Sequence, residues 1–173
     1  MRKKDVSENK YVVRHRHPGP ADLDRTDRRL LGLLAEDSSV SYAELGRRLN
    51  LSPSAVHDRV KRLKRDGVIR STHAKIDGCR VGRTLLTFVL VTTRGTSATK
   101  QLLALSSIPD VEEIHTVAGD NAVMLKVRPR DSEALEDFLA HVRAIEGVEG
   151  TRSYIVLSTY LEREPSPEPT PEL

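Results

Sequence analysis

At 173 residues the chain has room for one or two small domains. Its net charge of +3 conceals a division: residues 1–83 carry 20 Lys/Arg against 11 Asp/Glu (+9), and residues 84–173 carry 8 against 14 (−6). A single cysteine, Cys79, leaves no internal disulfide framework and no cysteine-built zinc cluster, and no apolar run reaches the length of a membrane span or makes a signal peptide, so no membrane role and a cytoplasmic location are expected.

In chain order, residues 1–21 read as a disordered basic arm ending His15-Arg16-His17-Pro18-Gly19-Pro20. It suits a phosphate-seeking segment, with metal binding by the His-Arg-His triplet as the alternative. Asp24 then caps a helix that buries Leu30, Leu31 and Leu34. Ser41, with Glu44 three residues on, has the pattern of a capping box for a second helix carrying Leu45 and Leu49 on one face. Asn50-Leu51 turns the chain. Ser52 caps a third helix with Pro53 at its first position, where a missing N–H costs nothing, and the helix runs to about Asp66 with Gly67 as its stop.

At about 100° per residue, Val56, Val60 and Leu63 of that third helix form a narrow apolar stripe, while Ser54, Asp58, Lys61, Arg62 and Arg65 project from the other side. Residues 52–70 hold six Lys/Arg against two Asp, a local charge of +4. Helix-turn-helix proteins set the N-terminal part of such a helix against base edges, while flanking groups hold phosphates. Ser54, Asp58 and Arg62 are therefore candidate base readers, with His57 at the margin and Ser52 at the cap. Lys61, Lys64 and Arg65 are candidate phosphate contacts. A basic amphipathic helix is often only a solvated face, but the double cap, the short turn and the one-sided charge together favour double-stranded DNA. Arg59 lies beside the apolar stripe and suits a salt bridge to Asp27 instead. Asp58 either reads a base or pairs with Arg62 one turn later. Residues 68–76 read as a short strand pair, a wing, completing a unit over 22–78 that is near the lower size limit for its own core.

After Gly82 the pattern changes. Residues 85–91 are a buried strand, residues 98–105 a helix with Leu102, Leu103 and Leu105 apolar, and residues 111–117 and 122–127 are strands joined by a tight turn at Gly119-Asp120-Asn121. Residues 132–145 form a helix burying Leu135, Phe138, Leu139 and Val142, and residues 148–157 give a last strand. This order, β-α-β-β-α-β, is the ferredoxin-like arrangement: four antiparallel strands with both helices on one face. The fold class is α+β, a winged helix-turn-helix followed by a ferredoxin-like domain over 79–161. Its other sheet face would expose Phe88 and Leu90 or their alternating partners, and an exposed apolar face signals association, so a homodimer is expected through this half. Residues 162–173, with prolines at 165, 167, 169 and 171, read as an extended, solvated Pro/Glu-rich tail.

The segments Leu23-Asp24-Arg25-Thr26-Asp27, Leu51-Ser52-Pro53-Ser54, Arg59-Val60-Lys61-Arg62-Leu63, Gly67-Val68-Ile69, Ala118-Gly119-Asp120, Gly147-Val148 and Thr151-Arg152-Ser153-Tyr154 together resemble the leucine-responsive/asparagine regulator (Lrp/AsnC) family of transcription factors over about residues 22–160. The resemblance implies an N-terminal DNA-binding domain and a C-terminal effector-sensing domain (the ACT-like RAM domain). It also implies dimers that assemble into octamers, and a small effector, typically an amino acid, bound between dimers. The effector would lie near Gly119, Asp120 and Asn121 and the strand carrying Thr151 and Ser153. Backbone amides at the glycine turn suit a carboxylate and Asp120 suits an ammonium, although turn chemistry alone also accounts for Gly119 and Asp120. The chain departs from the family where an aromatic-acid-aromatic run often follows Gly-Asp: here Asn121-Ala122-Val123 stand, which leaves the effector's identity open.

Two other readings are carried forward. The siroheme decarboxylases resemble the same architecture, and His115 or His141 would be their candidate acid–base groups here. A nucleoid-associated, chromosome-organising protein of low sequence preference is the other. No nucleophile–base pair, metal-ligand spacing or phosphate-cradling glycine loop stands out, so neither catalysis nor a cofactor is expected.

Overall fold

A computed structural model of the protein describes residues 19–168. The basic arm expected over residues 1–21, and with it the His15-Arg16-His17 triplet, falls outside these residues except for positions 19–21. The described residues divide into two compact units: one runs over Ile76–Tyr160, and the other over residues 19–75 together with 161–168.

The first unit in chain order has three helices, α1 (Arg25–Glu36), α2 (Tyr42–Leu49) and α3 (Pro53–Arg65). Asp24 caps α1 in a full capping box, its carboxylate accepting from Asp27 N while the Asp27 carboxylate accepts from Asp24 N. Ser41 caps α2 through Glu44 N, but the reciprocal half of the expected box is absent. The Glu44 carboxylate turns outward instead, accepting from Arg47 and Arg48, which hold it at a pKa of about 2. Leu30, Leu45, Leu49, Val56, Val60 and Leu63 make the core, with Leu31, Leu33 and Leu34 packed half-buried against it.

The α2–α3 turn is tight. Asn50 adopts the left-handed conformation (φ 55°), Leu51 N donates to Gly46 O at 2.9 Å, and a Cβ on Gly46 would stand 2.5 Å from Leu51 O. Only glycine lets the backbone close this far. Gly46→Ala is therefore expected to force the turn open and destabilise the unit by about 2 kcal/mol, read as an earlier denaturant midpoint.

The strand pair expected over residues 68–76 is corrected. After Gly67 (φ 73°) the chain bends at Val68 and Ile69, and residues 68–76 form no strand pair. Val68 N and Ile69 N both donate to Leu63 O, which anchors the start of the segment to the end of α3. Residues 70–76 are all exposed and lack an alternating apolar face, so nothing in them buries a ladder. The tail returns to this unit: Lys75 Nζ pairs with Glu162 at 3.0 Å, and Arg28 Nη1 donates to Pro167 O at 2.7 Å.

The second unit begins with a 3₁₀ turn at Cys79–Val81 and continues β1 (Thr87–Thr93), α4 (Gly95–Leu102), a 3₁₀ turn (Leu103–Ser107), β2 (Val111–Thr116), β3 (Val123–Val127), α5 (Ser132–Arg143) and β4 (Val148–Ile155). The strand order is β2-β3-β1-β4, all neighbours antiparallel, which is the expected ferredoxin-like topology. Val89, Val91, Val123, Leu125 and Val127 face the helices, where Leu102, Leu105, Leu135, Phe138 and Val142 cover them. The alternate residues Phe88, Leu90, Met124, Arg152 and Tyr154 lie on the uncovered face, as register requires. The first helix of this unit starts and ends three residues earlier than expected: it tightens into 3₁₀ geometry at Leu103, and so directs Leu105 into the core.

Candidate nucleic-acid interface

Helix α3 is seated by Val56, Val60 and Leu63, which retain 0, 4 and 0% of their exposure, and Ser52, Ser54, His57, Asp58, Lys61, Lys64 and Arg65 all stand exposed. Ser52 Oγ accepts from Ala55 N at 3.1 Å and is 2.9 Å from Ser54 Oγ, so the helix start is organised by hydroxyls. His57 meets the Tyr42 ring edge-on, with ring centres 5.8 Å apart. Among the described residues Arg65 pairs only with its neighbour Asp66, an exposed contact.

The two remaining arginines behave differently. Arg59 Nη1 donates to Asp24 (2.6 Å) and Asp27 (2.8 Å), as the sequence suggested for Asp27. Arg62, expected to project towards bases or to pair with Asp58, instead gives both bonds of one Nη2 to the Asp27 carboxylate, at 2.7 and 2.6 Å. Asp27 is 1% exposed. Burial alone would raise its pKa, but the hydrogen bonds from Arg62 and Arg59 outweigh that and hold it below the usual carboxylate value. The Arg59 hydrogen bond likewise lowers Asp24. The two carboxylates that cap α1 thus also fasten α3. Sequence reading missed Arg62's partner, although the spacing offered a signal: two acids three apart on α1 match two guanidinium groups three apart on α3.

In the second unit, Gly119 (φ 146°) and Asp120 are exposed in the β2–β3 turn. Asn121 Oδ1 accepts from Thr92 Oγ1 at 3.2 Å, and Ala122 N donates to Val91 O, so the turn is tied to the end of β1. Val91 is in register with Val123 on one side and Thr151 on the other. The turn and Thr151 therefore share one end of the sheet across β1, with Ser153 two residues along β4. Thr151 Oγ1 accepts from Arg143 Nε at 3.0 Å. A separate cleft of about 370 Å³ lies between α4, the 3₁₀ turn and α5, lined by Gln101, Ser107, Ile108, His141 and Ile145 among others. His115 pairs with Glu113 at 2.8 Å on the uncovered side of the sheet, so the two histidines lie on opposite faces and do not share a site. Among the described residues no cluster of His, Cys, Asp or Glu could hold a metal, and no helix is long and apolar enough to cross a membrane.

A capped, cationic α3 exposed on a three-helix core, joined to a ferredoxin-like unit, defines a DNA-binding regulator with a ligand-binding domain. Residues 23–70 match the winged helix-turn-helix DNA-binding model, and residues 86–166 match the Lrp/AsnC ligand binding domain. LrpA of Mycobacterium tuberculosis, named an HTH-type transcriptional regulator, is 40% identical over 139 residues, covering 80% of this chain and 92% of LrpA. The structure of Escherichia coli AsnC superposes with a TM-score of 0.78 at 25% identity, covering 84% of this chain and 99% of AsnC. A Neisseria meningitidis regulator solved with L-Met gives 0.77 at 28% identity, covering 82% and 94%. The chain belongs to the Lrp/AsnC family of transcriptional regulators.

Proposed function

We propose that the protein is a sequence-specific regulator that docks α3 in the major groove of duplex DNA and whose binding or assembly responds to a small effector, an amino acid. The observation that carries the reading is α3 itself: its apolar side is fully seated, and Ser52, Ser54, His57, Asp58, Lys61, Lys64 and Arg65 are left exposed on its outward surface. Lys61, Lys64 and Arg65 face phosphates and supply affinity, and the Ser54–His57–Asp58 turn faces bases. Arg62 supports the helix from behind through Asp27 rather than reading DNA. Such a partner places the protein on the chromosome, in the cytoplasm.

The effector region is the sheet end formed by Gly119, Asp120, Asn121, Thr151 and Ser153. The L-Met bound to the Neisseria relative supports an amino acid as the ligand class. Two-fold pairing follows from the uncovered sheet face, where Phe88, Leu90 and Met124 lie half-buried and Tyr154 is 50% exposed. We expect a dimeric or higher mass, octamers included, by light scattering at micromolar concentration, and a monomer would refute the pairing.

The functional test is a titration of the full chain on a selected duplex and on random duplex at fixed salt, with and without an amino-acid panel. Preference for the selected duplex by several orders of magnitude, altered by one amino acid, supports the reading. Equal affinity for both duplexes would instead make it a general chromosome-coating protein.

A further inference from the structure

One acidic side chain stands in the middle of the surface that meets DNA. At about 100° per residue, Ser54, Asp58, Lys61 and Arg65 fall within a strip about 60° wide on the exposed side of α3. Within α3 Asp58 is the one acid, set among Lys61, Lys64 and Arg65, while Asp66 at the C-cap is paired with Arg65. The sequence offers Asp58 a partner one turn on, Arg62, but that guanidinium is committed to Asp27. What remains among the described residues is His57 Nδ1 at 3.4 Å, too long for a strong hydrogen bond, and the Asp58 side chain is 78% exposed. A carboxylate with open acceptor positions therefore points to where the duplex docks.

Such a group opposes binding to any polyanion unless it meets a donor. The major groove offers only two, cytosine N4 and adenine N6. Adenine sets its N7 acceptor beside N6, so a carboxylate there faces an acceptor as well as a donor. Cytosine presents N4–H₂ alone, and guanine O6/N7 and thymine O4 present acceptors only.

We propose that Asp58 is the specificity-determining residue of α3, selecting cytosine in a C·G pair at one fixed position of each half-site. This rests on the reading of α3 as the groove-inserted helix. Asp58 acts chiefly by exclusion: at any other base its charge meets acceptors and phosphates uncompensated. Removing the charge relaxes the choice mainly by tightening binding to the three wrong bases.

The test is selection from a randomised duplex pool by the full-length protein and its Asp58→Ala and Asp58→Asn variants at one salt concentration. Competition titrations then follow on four duplexes that differ only at the assigned position. Circular dichroism confirms that the variants keep the fold. The wild type should recover a two-fold motif with cytosine at that position, preferred roughly tenfold over the other bases. Asp58→Ala should lose that preference there and nowhere else. Asp58→Asn should move it to adenine, whose N6 and N7 match a carboxamide. If both variants keep the wild-type motif at every position, or if Asp58→Ala tightens all four duplexes by one common factor, Asp58 is only a local charge and the proposal is overturned while α3 docking stands. A wild type that enriches no motif overturns the docking reading, and this proposal with it.

Discussion

Replacing Lys61 and Arg65 together by alanine should weaken binding to every duplex, selected or random, by roughly tenfold or more, and should lower the slope of log affinity against log salt by roughly two units for each α3 engaged. Both side chains are exposed on the strip that carries Ser54 and Asp58, and neither contributes to the core. Arg65's ion pair with Asp66 joins adjacent exposed residues and contributes little to stability. The thermal midpoint should therefore stay where it is while affinity falls. Base preference should also survive, since phosphate contacts position the helix without reading sequence. Salt titrations by fluorescence anisotropy measure both quantities in one experiment. An unchanged slope with an unchanged fold would show that DNA meets a different surface.

This separation of binding from folding explains which features the sequence disclosed. Helix ends were legible because caps are local: Asp24, Ser41 and Ser52 each accept from a backbone N–H three residues on, and Pro53 and Gly67 mark entry and exit by backbone geometry alone. The apolar stripe of α3 was legible for the same reason, since one period fixes one face, whereas the mostly apolar run of β1 left open which alternate residues face outward. Arg62 was not legible. Local spacing put Asp58 within reach, but a carboxylate 35 positions away, already fixed in a capping box, outcompetes it. Burial decides that contest, because Asp27 is removed from water and Asp58 is not. The strand pair expected over residues 68–76 failed in the opposite way. Val68 and Ile69 suggested a strand, yet both are used in closing α3, and the polar residues that follow have no surface to bury. In the second unit the spacing gave the turn at Gly119-Asp120-Asn121. It could not show that Asn121 is held by Thr92, or that β1 brings Thr151 to the same sheet end.

The second large effect is expected at Asp27. Asp27→Asn removes the charge that Arg59 and Arg62 share while keeping its volume and most of its capping ability. Deleting one partner of a buried ion pair usually costs about 3–5 kcal/mol. Here the two arginine side chains keep 28 and 35% of their exposure and can turn to water, so about 2–3 kcal/mol is expected for the DNA-binding unit. The pH dependence identifies the cause. Asp27 releases its proton more readily folded than unfolded, so its contribution is full above the unfolded-chain value of 3.8 and fades as pH falls through the lower folded value. Wild type and variant should differ most near neutral pH and converge in acid, where the wild-type carboxylate is itself protonated. A difference that persists undiminished at low pH would assign the effect to packing or capping rather than charge. The same substitution also releases Arg62 towards the exposed side of α3, next to Asp58. Affinity for random DNA should therefore rise with a steeper salt dependence even as the unit becomes less stable, a pairing that simple loss of structure cannot produce.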